Sequence, residues 1–222
     1  MLHPAGHDNL FQQLKRSLQA FQQNRLRTTY ADLIKDPQYM HIARFFFEKL
    51  YTPEDFSRRN AGIQTLHRVL KGSMPVNLVS AVEMVFELHD VGDRLDDQMV
   101  SKMMEAGIGP DFDLTRYREV YRLLGNGDER LRQIHLLAQA ASVFHRLCRS
   151  RIVGISLKTV RRVARLLGMA ELIDFVHEGY MGFQAIEDIQ PLVKAIEDRE
   201  IAWHNDICNP KNSSKRRVTG AC

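Results

Sequence analysis

The 222-residue sequence holds only three cysteines, Cys148, Cys208 and Cys222, an odd number with no CxxC spacing. Neither a disulfide framework nor a zinc knuckle is indicated, and a reducing cytoplasm is the expected compartment. Glycine and proline are scarce, at 13 and 7 residues, which excludes collagen-like and low-complexity chains. No window approaches the roughly 18 uncharged apolar residues of a membrane span. The nearest run, Ile134 to Phe144, is interrupted by His135, Gln139 and Ser142. The opening residues, MLHPAGHDNLFQQLKR, lack the apolar core of a signal peptide, so no membrane association is expected. Patterns of the GxSxG, Walker, GxGxxG, HExxH and EF-hand kinds are missing too. So is any ExxH pair, the i, i+3 spacing that places two metal ligands on one helix face in di-metal bundles. No catalytic residue, metal ligand or cofactor is assigned from motifs.

What is present is a chain with 44% hydrophobic and 26% charged residues, enough at this length to bury a substantial core. Nearly every segment reads with helical period. Phe11, Leu14, Leu18 and Phe21 step by 3, 4 and 3 along a first helix, for which Asp8 is a candidate N-cap. Asp36-Pro37 ends the turns that follow, because proline disfavours helical geometry in the residue before it. A second helix carries Tyr39, Ile42, Phe45, Phe46 and Leu50. Thr52-Pro53-Glu54-Asp55 starts a third, with a cap, a proline at the first position and acids at the positive end of the dipole.

The longest helix is expected over about 75–106, stopped by Gly107 and Gly109-Pro110. Asp113 caps a fifth through Leu124, and a sixth runs from about Asp128 to Arg149. Ser156 caps a seventh, an eighth covers Ala170 to His177, and the last spans Tyr180 to about Asn205 with a bend at Pro191. The expected fold is all-α: a single-domain bundle of about eight or nine helices over residues 1–208. Residues 209–222 read as a disordered basic tail.

The run from His41 through Phe45-Phe46-Phe47, Leu50-Tyr51, Pro53, Asp55-Phe56-Ser57-Arg58-Arg59 resembles the hallmark FFxxxLYxPxDFSRR-like block of an uncharacterised bacterial all-helical family. Glu87-Leu88 through Leu95-Asp96 is similar to that family's second block. Leu172, Phe175, Gly179 and Phe183 are similar to its third. Asn60 departs from the pattern, standing where the family has an acid. The resemblance covers about residues 39–200 and implies an all-helical fold and bacterial origin, with no activity attached.

The formal net charge is only +4, but its distribution is uneven. Residues 81–113 hold nine acids against Arg94 and Lys102, whereas Leu131 to Ala170 holds eight basic residues and no acid. One reading is that the two blocks pack side by side and neutralise each other. The other is that Lys158, Arg161, Arg162 and Arg165, which share a face by the i, i+3, i+4 rule, bind an anion such as a phosphate or a nucleic acid. A helix-turn-helix reading fails, because the helix that should enter the groove carries Glu171, Asp174 and Glu178.

Within the acidic helix, a stripe of Leu78, Val82, Val85, His89, Gly92, Asp96, Met99 and Met103 is expected to face the core. Glu83, Glu87, Asp90, Arg94 and Asp97 form a polar stripe. Glu87, His89 and Asp96 are candidate pocket residues, although Glu87 and His89 point about 160° apart on an ideal helix. Tyr51, Asp55, Arg58 and Arg59 are further candidates, since an arginine pair beside a tyrosine grips a carboxylate or phosphate bidentately. Asp174 and His177 make a lone DxxH. His135 and His145 are about 80° apart on the sixth helix and face a common cavity in one reading. Cys148 continues the apolar line of Ile134, Leu137, Ala141 and Phe144, so a buried thiol is expected. Three consecutive phenylalanines, Phe45 to Phe47, exceed one buried stripe and point to oligomerisation.

Taken together, the leading expectation is a cytoplasmic, non-enzymatic helical protein acting through a protein interface, as a homodimer. The alternative is a bundle enzyme or sensor holding a metal, haem or small acidic ligand beside helix 75–106. A further alternative is an accessory protein that binds polyanions such as nucleic acid.

Overall fold

In the first helix, Leu14 and Leu18 are wholly buried and Phe11 and Phe21 partly so, as the 3-and-4 spacing requires of one core-facing stripe. The computed structural model describes residues 4–47, 76–155, 157, 165 and 170–209. Among these there is no strand. The helices are α1 (Pro4–Thr29), α2 (Ala31–Lys35), α3 (Met40–Phe45), α4 (Val76–Glu105), α5 (Leu114–Leu123), α6 (Gly127–Cys148), α7 (Ala170–Gln184) and α8 (Gln190–Cys208), and residues 151–155 are also helical.

Local chemistry explains the boundaries. The Asp113 carboxylate accepts from the Arg116 N–H at 2.9 Å, capping α5. Asp36 closes α2 in an extended conformation (ψ 122°), the geometry a residue before proline prefers. Gly107 takes φ 67° after α4 and Gly125 takes φ 61° after α5, left-handed positions that favour glycine at helix ends.

Some boundaries differ from the sequence reading. The first helix begins at Pro4, so Asp8 lies within it rather than capping it. Helical structure resumes at 151, ahead of Ser156. The helix expected to stop at His177 runs on through Gly179 to Gln184, and Pro191 stands in the first turn of α8 instead of bending it. Gly179 and Gly182 are contact points. A Cβ at Gly179 would meet the Phe45 ring at 2.8 Å, and one at Gly182 would meet the Ile42 Cα at 3.3 Å. The missing side chains let α3 and α7 approach closely.

Two apolar clusters are formed among the described residues. The larger joins Leu14 and Leu18 of α1, Met99, Val100 and Met103 of α4, Tyr117, Val120 and Tyr121 of α5, and Ile207 of α8. The smaller joins Tyr39, Ile42 and Phe45 to Ile186 and Ile189, with Phe175 and Phe183 packed against it. The phenylalanine triplet belongs to this monomer packing: Phe45 and Phe47 are buried, and Phe46 sets its ring edge-on to Phe47. It therefore leaves no row of exposed aromatics for a second subunit. Cys148 is a free, buried thiol, as its apolar line requires.

Candidate functional site

The outer face of α4 carries the acids in the order the sequence sets out. Glu83, Glu87, Asp90 and Arg94 are exposed. The neighbours that neutralise them come from two sides. Lys15 of α1 bridges Asp93 at 2.6 Å and Asp97 at 2.7 Å. From α6, Arg132 pairs with Glu87, and Arg94 of α4 pairs in the reverse sense with Glu129. The acidic and basic blocks do adjoin along α4 and α6, but one pair, Glu87–Arg132, joins them among the described residues. A groove of about 640 Å3 lies on this face, with Asp90, Asp93, Asp97 and Glu105 on its rim and Leu123 and Leu124 at its side.

The core-facing stripe of α4 is displaced from the expected one. Ala81, Val91, Leu95, Met99, Val100 and Met103 are buried, while His89 is exposed. Of the three candidates on this helix, Glu87 and His89 thus face outward and only Asp96 turns inward, so no shared pocket forms. Asp96 accepts hydrogen bonds from the Gln19 amide at 3.3 Å and the Gln22 amide at 3.1 Å. Burial pushes its carboxyl up to about 6, against the opposing pull of Gln22, Gln19, Lys15 and Arg130.

Asp96 lies at one end of an interior polar seam that the sequence reading did not find. Arg130 of α6 is buried, with its guanidinium 4.0 Å over the Tyr121 ring and its Nε donating to Asn126 at 2.9 Å. The Tyr121 hydroxyl bonds His204 Nδ1 at 2.8 Å. Burial and then Arg130 hold the His204 imidazole below the ordinary histidine range, so the ring in this bond is neutral. One turn before His204, the buried Glu200 takes the Arg25 guanidinium at 2.7 Å and the Tyr30 hydroxyl at 2.9 Å. Burial, with the Glu200 charge second, raises the Tyr30 phenol.

These groups satisfy one another across α1, α5, α6 and α8, which is how a bundle holds charge inside without a large desolvation penalty. The signal that could have revealed them is phase. Glu200, His204 and Ile207 follow i, i+4, i+7 on one face of α8, and all three are buried.

The remaining candidates are scattered. Tyr51, Asp55, Arg58, Arg59, Lys158, Arg161 and Arg162 lie outside the described residues. Arg165 is exposed and sits 3.9 Å from Asp174. His177 is part-buried beside the Tyr180 ring, at 6.4 Å between centroids, so the DxxH pair does not converge. His135 is exposed and pairs with Glu197, whereas His145 is buried and bonds the Ile186 carbonyl at 2.9 Å, so they share no cavity. No group of three or more metal-ligating side chains occurs among the described residues. Burial raises the Cys148 thiol to about 12.

A last feature is apolar and outward-facing. Ile152 and Ile155 are 65% and 67% exposed and Met181 is 51% exposed. The Tyr180 hydroxyl lies 3.0 Å from where a Gly154 side chain would begin, so the two elements that carry these side chains adjoin. No helix among the described residues is long and apolar enough to cross a membrane.

A family model described as Domain of unknown function (DUF8198) matches residues 2–214. No curated protein and no solved structure matches the chain.

Proposed function

The chain belongs to the DUF8198 family, whose description attaches no activity, and we propose that it is a non-enzymatic helical-bundle protein of the cytoplasm that acts through a protein interface, as a homodimer. The observation that supports this reading is three exposed apolar side chains, Ile152, Ile155 and Met181, on two adjoining segments. Burying a side chain of this size is worth roughly 1.5–3 kcal/mol, so these residues supply the apolar centre that a specific contact needs. Light scattering over a range of concentrations tests the reading. The wild-type chain is expected at dimer mass and Ile155→Glu at monomer mass with unchanged circular dichroism. A wild-type monomer at all concentrations would overturn it.

A second reading is favoured by the groove on α4: a ligand-binding protein with its site beside that helix. Its lining mixes Asp90, Asp93, Asp97 and Glu105 with Arg94 and Lys102, and Lys15 and Lys102 already pair three of those acids, so it favours no one sign of ligand charge. Elemental analysis and visible absorption of protein purified without chelator test it, and a stoichiometric metal or chromophore would displace the interface reading. Polyanion binding through the basic stretch would instead appear as salt-dependent heparin retention that an Arg165→Glu substitution weakens.

A further inference from the structure

The two halves of α1 are held by different parts of the molecule. Up to Gln22 the helix docks on α4 and α5. Leu14 and Leu18 share a core cluster with Met99, Val100 and Met103, and Phe21 packs on Tyr117. Lys15 bridges Asp93 and Asp97, and the Gln19 and Gln22 amides bond the Asp96 carboxylate. From Gln23 onward the partners change. The Gln23 amide and the Arg27 guanidinium donate to the Phe47 carbonyl at 3.0 and 3.3 Å. Arg25 pairs with Glu200 and lies over the Trp203 ring, and the Thr29 carbonyl accepts from Arg199 at 2.7 Å. This second half is anchored on α8 and on the chain just past α3.

The contact of the first half with α4 sets three carboxylates, Asp93, Asp96 and Asp97, beside one ammonium, Lys15, which donates to Asp93 and Asp97. Both oxygens of Asp96 take neutral amides instead. The other titratable or charged groups that face Asp96 among the described residues are Tyr117 of α5 and Arg130 of α6. Burial raises the Tyr117 phenol, so it stays neutral, and it shares Gln22 with Asp96. Arg130 is engaged with Asn126, the Met99 sulfur and the Tyr121 ring. A protonated Asp96 suits these partners. Each glutamine side chain offers a donor and an acceptor, so the carboxyl can donate its O–H to one amide oxygen and accept from the other amide. An ionised Asp96 loses that match and adds a third negative charge beside a single ammonium.

We infer that this contact is a proton-operated clasp: with Asp96 protonated the first half of α1, through Gln22, is held on α4, and with Asp96 ionised that half parts from α4 more often, while the second half stays anchored. The docked carboxyl sits at about 6 against an ordinary 3.8, so the closed state is most stable below about pH 4 and loosens as pH rises through 6. Opening of this kind is local, since the ties of Arg25, Arg27 and Thr29 involve none of the α4 acids. It uncovers Leu14, Leu18, Met99, Val100 and Met103, all of them buried while the clasp is shut. The molecule thus keeps an apolar strip in reserve, covered in acid and shown more often at neutral pH.

Native-state hydrogen exchange of the full chain tests the clasp, with opening constants corrected for the intrinsic pH dependence of exchange. At pH 7.5 the amides of residues 14–18 are expected to open more often than those of residues 200–207, as they must if the half-helix parts without global unfolding. Between pH 7.5 and pH 5 their opening constant is expected to fall roughly tenfold, the change that a carboxyl moved from 3.8 to about 6 produces over that range. Asp96→Asn is expected to abolish the fall. If residues 14–18 open only together with residues 200–207, Asp96 acts on the whole fold and the clasp is overturned. An opening constant that is flat with pH in the wild type, or a pH dependence that survives in Asp96→Asn, would overturn it as well.

Discussion

At the scale of single residues, Asp96 carries the clearest consequence. Its carboxyl is pushed up by burial from the ordinary 3.8 to about 6, so the fold favours the protonated form. A folded pKa above the unfolded one means the stabilising state is complete below about pH 4 and is lost as pH rises through 6. A shift of that size corresponds to about 3 kcal/mol at neutral pH. Asp96→Asn keeps an acceptor for Gln19 or Gln22 and removes the charge. It should unfold at higher urea than the wild type at pH 7.5, by about 1–3 kcal/mol, with the difference closing near pH 4. Equal stability at both pH values would show that the carboxylate is solvated.

Asp96 was legible as an inward residue because it shares phase with Met99 and Met103. His89 was not. Between 78 and 89 the helix offers two neighbouring apolar stripes, and choosing Val82–Val85–His89 over Ala81 and Leu88 shifts the face by one residue, about 100°. The seam partners Arg25, Arg130 and Glu200 were missed for a different reason. A charged residue in phase with a core stripe reads as a boundary until the opposite charge from another helix is known.

Among the elements, caps and stops were read well where their chemistry is local. Asp113, Gly107 and Gly125 each act through neighbours a few residues away, and each ends or begins a helix as its type requires. The α7 helix was cut short because Gly179 looks like a break in isolation, while Gly182 was read as lying inside the last helix. Their use is tertiary: they clear space for Phe45 and Ile42. Substitution separates the two uses. Gly182→Ala would set a methyl 3.3 Å from the Ile42 Cα and 3.2 Å from its Cδ1, and backbone cannot swing aside as a side-chain tip can. Overpacking of this kind costs about 1–3 kcal/mol, whereas relief of a mid-helix glycine would gain roughly 0.5–1 kcal/mol. A net loss in denaturant unfolding is therefore expected. A net gain would show that α3 and α7 are free to part.

For the whole molecule, the net charge of +4 conceals an acid surface along α4 and an acid-free basic stretch of sequence from Leu131 to Ala170. The sequence displayed both blocks but not the lysine that bridges the acids, because Lys15 is some eighty residues away and meets Asp93 and Asp97 only through the packing of α1 on α4. Nor did it display the exposed apolar side chains on which the proposed self-association rests. The phenylalanines that seemed to supply such a face are folded inward, and Ile152, Ile155 and Met181 remain outside. Buried at the end of α6, a few residues before that face, is the Cys148 thiol, held at about 12. At pH 8 only about one such sulfur in ten thousand is a thiolate while the helix is closed, and the thiolate is the reacting species. A chromogenic disulfide should therefore label Cys148 at a rate governed by opening of this end of the bundle, slowed when the dimer forms if docking braces the neighbouring face. Labelling as fast as that of an unfolded thiol would contradict the burial. The sulfur thus serves as a clock inside the molecule, timing how often the wall behind the contact surface comes apart.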